Sequence, residues 1–141
     1  MIVGSIKENI SIEKRVSITP ETAKNISSLG LKINLEKSYA EHLGINDEDY
    51  KKEGVNFYES SSEILKNSNL ILKVNCPSED EIKNLKENQI IVGIFNPSKN
   101  NIILKSLTKK NLKIFSLELL PRISRAQSMD VLSSQSNLAG Y

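Results

Sequence analysis

The sequence predicts an α/β fold, a three-layer sandwich in which a mostly parallel sheet lies between two layers of helices. Short apolar runs alternate with amphipathic segments along the 141 residues, and such alternation is typical of parallel sheets with helical crossovers. The later apolar runs, residues 70–74 and 90–95, are continuous, which is typical of strands buried on both faces. The predicted architecture is Rossmann-like (flavodoxin-like), and ligands of such sheets bind at the carboxyl ends of the strands.

The first predicted strand covers residues 2–6, and a helix follows after a loop. Thr19 is expected to cap this helix, with Pro20 at its first position, where the missing N–H costs nothing. Gly30 is the expected stop, because glycine adopts the left-handed conformation that ends many helices. Residues 31–35 alternate apolar and polar side chains, which predicts the second strand.

The next segment contains a short helix, a strand and another helix. Residues 46–49 are mostly acidic and predict the start of a helix, which we expect to end at Gly54. Residues 55–58 are strand-like. Residues 60–66 predict a helix in which Ser and Glu are placed near a capping box.

A continuous apolar strand is predicted for residues 70–74, with Lys73 inside it and Pro77 ending it. Residues 78–86 predict a helix capped by their first residue, with acids in the first turn. Residues 90–95 predict another buried strand.

The last predicted elements are a helix over residues 101–110, a strand over 112–117 and a further helix over 129–141. The first of these helices has apolar residues at helical spacing, namely Ile102, Ile103 and Leu107. The final helix has no stop signal, so the sequence predicts a fragment, or a subunit that continues elsewhere. We expect residues 1–128 to form the α/β subdomain and 129–141 to begin a helix leading into a further domain.

Composition excludes several classes of function. The net charge is +2, too small to indicate nucleic acid or an anionic membrane as partner. A single cysteine excludes an internal disulfide framework and fits a reducing compartment. The N-terminus lacks the apolar stretch of a signal peptide, and no apolar run approaches the roughly 20 residues that span a bilayer. The chain is expected to be soluble and cytoplasmic.

Common catalytic and cofactor motifs are missing. The sequence has no Gly-x-Gly-x-x-Gly and no phosphate loop, so it lacks the dinucleotide glycine loop of its predicted fold. It has no Cys/His cluster, so no metal site is predicted. His42 is expected in a loop or on the surface. Cys76 is expected to be a small turn residue, because a nucleophilic cysteine needs a nearby base.

The segment around Arg15 has two possible functions. Arg15 follows a strand and precedes a helix N-terminus, which suits an anionic or polar ligand. It is equally consistent with a surface arginine that pairs with Glu8 or Glu13.

The segment of residues 121–130, PRISRAQSMD, contains two of the three arginines of this lysine-rich chain. Arginine offers a planar fork of donors that lysine lacks. Together Arg122, Gln127 and Asp130 offer the donors and acceptors that a carboxamide needs. The alternative is a polar loop in which Arg122 or Arg125 bridges to Glu118.

PRISRAQSMD, continuing through LSS to NLAGY at Tyr141, resembles the nicotinamide-positioning loop and following helix of the proton-translocating NAD(P) transhydrogenase alpha subunit. Three other features are similar to the wider group that includes alanine dehydrogenase. They are Lys7-Glu8 with Arg15-Val16, Thr19-Pro20, and the ILKVN strand ending at Asn75 before Pro77.

The resemblance implies an N-terminal subdomain of the NAD(H)-binding component, inactive alone, whose glycine-rich loop lies on a separate Rossmann domain. It implies hydride transfer between NADH and NADP⁺ coupled to proton translocation, with NADP(H) bound by a partner and proton movement through membrane-spanning components. The NAD-binding component is expected to be a homodimer on the cytoplasmic side of the membrane. The residues implied to orient the nicotinamide are Arg122, Gln127, Asp130 and Ser133.

Two alternatives accompany this interpretation. An alanine dehydrogenase-like substrate domain would use Arg15 and Lys73 to hold a keto acid, together with a histidine. The histidine region corresponds to residues 95–97, which contain none, so Arg15 and Lys73 are possible ligand or structural residues. The other alternative is a non-catalytic module retained for assembly.

Overall fold

The computed structural model describes residues 1–119, which form a six-stranded parallel sheet with helices on both faces. The strands are β1 (Ile2–Ser5), β2 (Lys32–Glu36), β3 (Asn56–Tyr58), β4 (Leu70–Leu72), β5 (Ile90–Gly93) and β6 (Lys113–Ser116). The helices are α1 (Pro20–Ser28), α2 (Asp47–Lys51), α3 (Ser61–Asn67), α4 (Glu79–Lys83) and α5 (Asn101–Lys109), with 3₁₀ turns at Glu41–Leu43 and Leu117–Leu119. The helix predicted over 129–141 and the domain boundary at 128 lie outside the described residues.

The strand order is β3-β2-β1-β4-β5-β6, and every pairing is parallel. The predicted α/β class with a parallel sheet is therefore confirmed. The order narrows it to the Rossmann variant, because flavodoxin-like sheets have the order 2-1-3-4-5. Val3 of β1 pairs with Ile33 of β2 on one side and with Leu70 of β4 on the other. The chain therefore changes direction across the sheet between β1 and β4, which is the switch point of the fold.

The predicted helix ends are largely confirmed. Thr19 Oγ1 accepts from the Thr22 amide at 3.2 Å, with Pro20 at the start of α1. Ser78 Oγ accepts from the Glu81 amide at 3.3 Å and caps α4. Gly30 has φ +82°, in the left-handed region that glycine adopts without strain.

Some predicted local details are wrong. Ser60 makes no capping bond, because its hydroxyl lies 2.7 Å from the Ser62 hydroxyl instead. Helix α4 ends at Lys83 and not at residue 86. Lys110 Nζ donates to the carbonyls of Ile82 and Leu85, which closes this helix end. Ile102 is 81% exposed, so the apolar face of α5 excludes it.

The core lies in two layers, one on each face of the sheet. The α1 face is packed against α1 and α2 through buried residues that include Val3, Ala23, Ile33, Leu35 and Tyr50. The α3 face is packed against α3, α4 and α5 through Ile64, Ile71, Ile82, Ile91 and Leu107. The two layers fix the strand ends, and with them the loops where a ligand would bind.

Within residues 1–119, no helix combines the length and the apolar character that crossing a bilayer requires.

Candidate functional site

Three connections meet at the carboxyl end of the sheet, around the switch point. They are the loop of residues 6–19 after β1, the turn of residues 73–77 after β4, and the residues 94–100 after β5. This is the edge where the sequence predicts a ligand. It contains two of the predicted site residues, Arg15 and Lys73.

Lys73 is buried at this edge and paired with two carboxylates. Its side chain is 3% exposed, and Nζ lies 3.3 Å from Glu8 Oε2 and 3.0 Å from Glu81 Oε2. The Glu8 side chain is 5% exposed, and its Oε1 accepts from the Val74 amide at 2.7 Å. Glu8 therefore joins the loop after β1 to the end of β4, and Lys73 joins both to α4.

This cluster explains why β4 is shorter than predicted on its β1 side. The Val74 amide is bonded to the Glu8 carboxylate, so it is not available to a strand pairing with β1. A charged side chain inside an apolar strand needs a partner, since an unpaired buried charge costs several kcal/mol. Glu8 and Glu81 provide that partner for Lys73.

Arg15 forms a two-pronged pair with Glu13. Nε lies 2.8 Å from Glu13 Oε1, and Nη2 lies 2.8 Å from Glu13 Oε2. The hydrogen bond from Arg15 holds the pKa of the Glu13 carboxyl below its usual value, and the same bond raises the pKa of Arg15. The structure therefore shows the predicted pairing with Glu13. A ligand role for Arg15, whose side chain is 47% exposed, stays a prediction.

The Tyr39 hydroxyl is the hub that holds the loop before α1 against the sheet. It accepts from the backbone amides of Ser17 at 3.1 Å and Ile18 at 3.3 Å, and lies 2.8 Å from Ser5 Oγ. Ser5 in turn donates to the Leu72 carbonyl at 2.7 Å. The hydroxyl thus links the loop that carries Arg15 to β1 and β4. Burial raises the pKa of Tyr39, so it stays protonated as a donor.

We expect Tyr39→Phe to lower the free energy of unfolding by about 1–3 kcal/mol, because it leaves two buried amides without an acceptor. Urea unfolding followed by circular dichroism measures the change. Tyr58→Phe is the matched control. Tyr58 is half-buried, and its hydroxyl makes no hydrogen bond within residues 1–119. Equal losses in the two variants would show that the Tyr39 hydrogen bonds do not stabilise the loop.

Two cavities open at this edge and meet at Arg15. One has a volume of about 360 Å³ and an apolar wall formed by Leu72, Val74, Val92, Ile94 and Leu117, with Lys73 and Arg15 beside it. The other, of about 410 Å³, is lined by Asn75, Asn96 and Asn100 together with Cys76 and Ile94. The edge therefore offers an apolar recess next to a row of amides.

Glu118 lies at the end of β6, just before the predicted nicotinamide-positioning segment. Both of its carboxyl oxygens are shielded from solvent and accept no hydrogen bond from any residue in 1–119. A shielded carboxylate without donors is costly. The site is therefore short of donors at the point where residues 120–141 begin.

The remaining candidates do not form a catalytic pair. His42 is exposed, and its Nε2 lies 2.7 Å from the Lys14 carbonyl oxygen. Burial raises the pKa of the Cys76 thiol to about 11, so the thiol stays protonated at neutral pH. Across residues 1–119 no three His, Cys, Asp or Glu side chains are grouped to hold a metal.

The predicted cofactor residues Arg122, Gln127, Asp130 and Ser133 lie outside the described residues. Sequence reasoning missed Glu8 as the partner of Lys73, and it missed Tyr39. An acid directly after a strand and a lysine inside an apolar strand are the signals that could have paired Glu8 with Lys73. No signal marks Tyr39, since its partners are backbone groups.

Comparison with known proteins adds sequence evidence to this geometry. Residues 4–139 match the family described as alanine dehydrogenase/PNT, N-terminal domain. An NAD(P) transhydrogenase alpha subunit of Rickettsia prowazekii is 38% identical over all of this chain and 38% of its own length. Alanine dehydrogenase 1 of Staphylococcus aureus is 29% identical over 99% of this chain and 36% of its own.

The structural comparison agrees. The crystal structure of transhydrogenase from Sinorhizobium meliloti superposes with a TM-score of 0.93 and 38% identity, over all of this chain and 42% of that one. This chain therefore spans about two fifths of the length of that structure and of its relative from Rickettsia prowazekii.

Proposed function

The chain belongs to the alanine dehydrogenase/PNT N-terminal domain family, and we propose that it is the N-terminal subdomain of the NAD(H)-binding component of a proton-translocating NAD(P) transhydrogenase. One observation carries the proposal. All of the chain aligns with a transhydrogenase alpha subunit at 38% identity, and the motif of residues 121–130 belongs to that alignment. The similarity to alanine dehydrogenase is lower, at 29%.

In this proposal the pyrophosphate of NAD(H) is held by a separate Rossmann domain and not by this sheet. A dinucleotide needs a glycine-rich turn after the first strand, where the backbone can approach the phosphates closely. Residues 6–19 contain no glycine, and the Glu8–Lys73 pair occupies the switch point. The described residues therefore do not fit a pyrophosphate.

The portion of the cofactor assigned to this chain is the nicotinamide. Arg122, Gln127, Asp130 and Ser133 would bind its carboxamide and ribose and orient the ring. In the assembled enzyme NAD(H) supplies the hydride chemistry. The chain's own residues contribute by positioning and by excluding water.

The same proposal assigns the partners. The Rossmann domain brings NAD(H), another component binds NADP(H), and membrane-spanning components couple hydride transfer to proton movement. The NAD(H)-binding component is a homodimer attached to the cytoplasmic side of the membrane through these partners. By itself this chain would catalyse no hydride transfer.

The alanine dehydrogenase alternative is less consistent with the charges at the site. Lys73 is committed to two carboxylates, and Arg15 is paired with Glu13. An incoming keto acid would have to displace these acids. Residues 95–97 also provide no histidine.

Titration of the isolated chain with NADH in a calorimeter tests the proposal. We expect no binding in the micromolar range, because the pyrophosphate site lies elsewhere. Binding near micromolar affinity would contradict the assignment of the cofactor site to a separate domain. Adding the component that carries the Rossmann domain is the positive control. If wild-type chain neither binds that component nor supports NADH-dependent transfer with it, the non-catalytic assembly module becomes the better interpretation.

A further inference from the structure

One half of the sheet lacks a helical layer on the α1 face. Side chains alternate along a strand, so Ile90 and Val92 of β5 share that face with Phe115 of β6, which pairs with Val92. Phe115 is 53% exposed, and Ile90 and Val92 are half-buried. None of the three belongs to either core layer. We call these three residues the β5–β6 strip.

Parallel sheets are normally covered on both faces, so the strip is an unfinished area of this fold. Helices α3, α4 and α5 cover the opposite face, while α1 and α2 cover the α1 face only toward β1, β2 and β3. From the rest of the fold we infer that the β5–β6 strip is the docking surface for a single amphipathic helix of the component that carries the Rossmann domain. This inference rests on the proposed function.

The dimensions of the strip fit one helix. Neighbouring strands lie about 4.8 Å apart, so β5 and β6 together present a surface about 10 Å wide, the diameter of a helix with its side chains. Their paired residues extend for about 13 Å, which corresponds to about nine residues of helix. A second copy of this whole chain would need a larger apolar face than the strip provides.

Charge complementarity gives the helix a direction. Lys113 is exposed on the same face, at the amino end of β6. At the carboxyl end of the sheet Glu8, Glu13 and Glu81 outnumber Arg15 and Lys73. A helix antiparallel to the strands puts its negative C-terminus near Lys113 and its positive N-terminus near the acids.

Docking there would also complete the apolar cavity described above. Val92 belongs both to the strip and to the wall of the 360 Å³ cavity, and Leu117 follows Phe115 by one strand repeat. The helix would therefore roof this cavity at the edge to which the nicotinamide is assigned. The amount of polypeptide available is sufficient, because the Rickettsia prowazekii relative is matched over only 38% of its length.

The test measures binding of this chain to the source organism's Rossmann-domain component by calorimetry. Phe115→Ser is expected to weaken the association at least about tenfold, since a buried aromatic anchor is lost. Ile102→Ser is the matched control, because Ile102 is also exposed but lies on α5, against the opposite face. It should change the association less than about twofold. Circular dichroism checks that both variants are folded, which their exposure favours.

Three results would overturn the inference. Phe115→Ser could bind the component as tightly as wild type, or the two variants could lose affinity equally. Sedimentation could show that Phe115→Ser abolishes a self-association of the wild-type chain, which would make the strip an interface between copies. Failure of the wild-type chain to bind the component at all would instead count against the proposed function.

Discussion

Replacing Lys73 with methionine is expected to lower the free energy of unfolding by about 3–5 kcal/mol, the usual cost of removing one partner of a buried ion pair. Methionine fills most of the lysine volume, so the loss comes from charge. Glu8, whose side chain is 5% exposed, would keep its bond to the Val74 amide but lose its cation. Glu81 is 25% exposed and can be solvated more easily. Urea unfolding of the isolated chain measures the change.

Lys37→Met is the matched control for this prediction. Lys37 lies 3.5 Å from Glu59, but both side chains are mostly exposed, and such surface pairs contribute about 0–1 kcal/mol. Adding Glu8→Gln to Lys73→Met should recover some of the loss, because it removes the stranded charge. A loss below about 1 kcal/mol for Lys73→Met would show that Lys73 is not structural. The ligand role considered for it would then regain support.

Gln127→Asn in the complete enzyme is expected to slow hydride transfer about 100-fold, because a misplacement of about 1 Å in a reacting group can cost that much. Asparagine keeps the amide but withdraws it by one methylene. NADH affinity should change little, since the proposed pyrophosphate site lies on the Rossmann domain. Stopped-flow measurement of transfer, alongside calorimetric titration with NADH, separates the two effects.

Gln135→Asn, the same chemical change eight positions further along, is the control for Gln127→Asn. Gln135 is not among the residues assigned to the nicotinamide, so its variant should transfer hydride at the wild-type rate. Equal rates for Gln127→Asn and wild type would remove Gln127 from the proposed site. A parallel loss of NADH affinity would assign it to binding and not to positioning.

The sequence was sufficient to predict most of the fold because the signals are local. Thr19 and Pro20 begin α1 and Gly30 ends it, and continuous apolar runs mark β4 and β5. Ile102 was misplaced because adjacent apolar residues on a short helix are compatible with more than one face. Only packing against the sheet decides which of them is buried.

The site was harder to predict, because its contacts join residues that are far apart in the chain. Glu8 and the Val74 amide are separated by 66 positions, and Tyr39 and Ser17 by 22. The lysine inside an apolar strand signalled that Lys73 needs a partner, but many acids in the chain are chemically equivalent to Glu8. The topology selects Glu8 by placing the ends of β1 and β4 side by side.

The position of β1 also has a consequence for the order in which the chain folds. This strand is made first, yet one of its two neighbours, β4, follows only after β2, α2, β3 and α3. Contacts of such long range are slow to form, because a long loop must close before they contribute. The half of the sheet that contains β1, β2 and β3 can assemble during synthesis, while the other half waits for β4. The Glu8–Lys73 pair spans this seam, so its formation marks the moment at which the two halves become one cooperative unit.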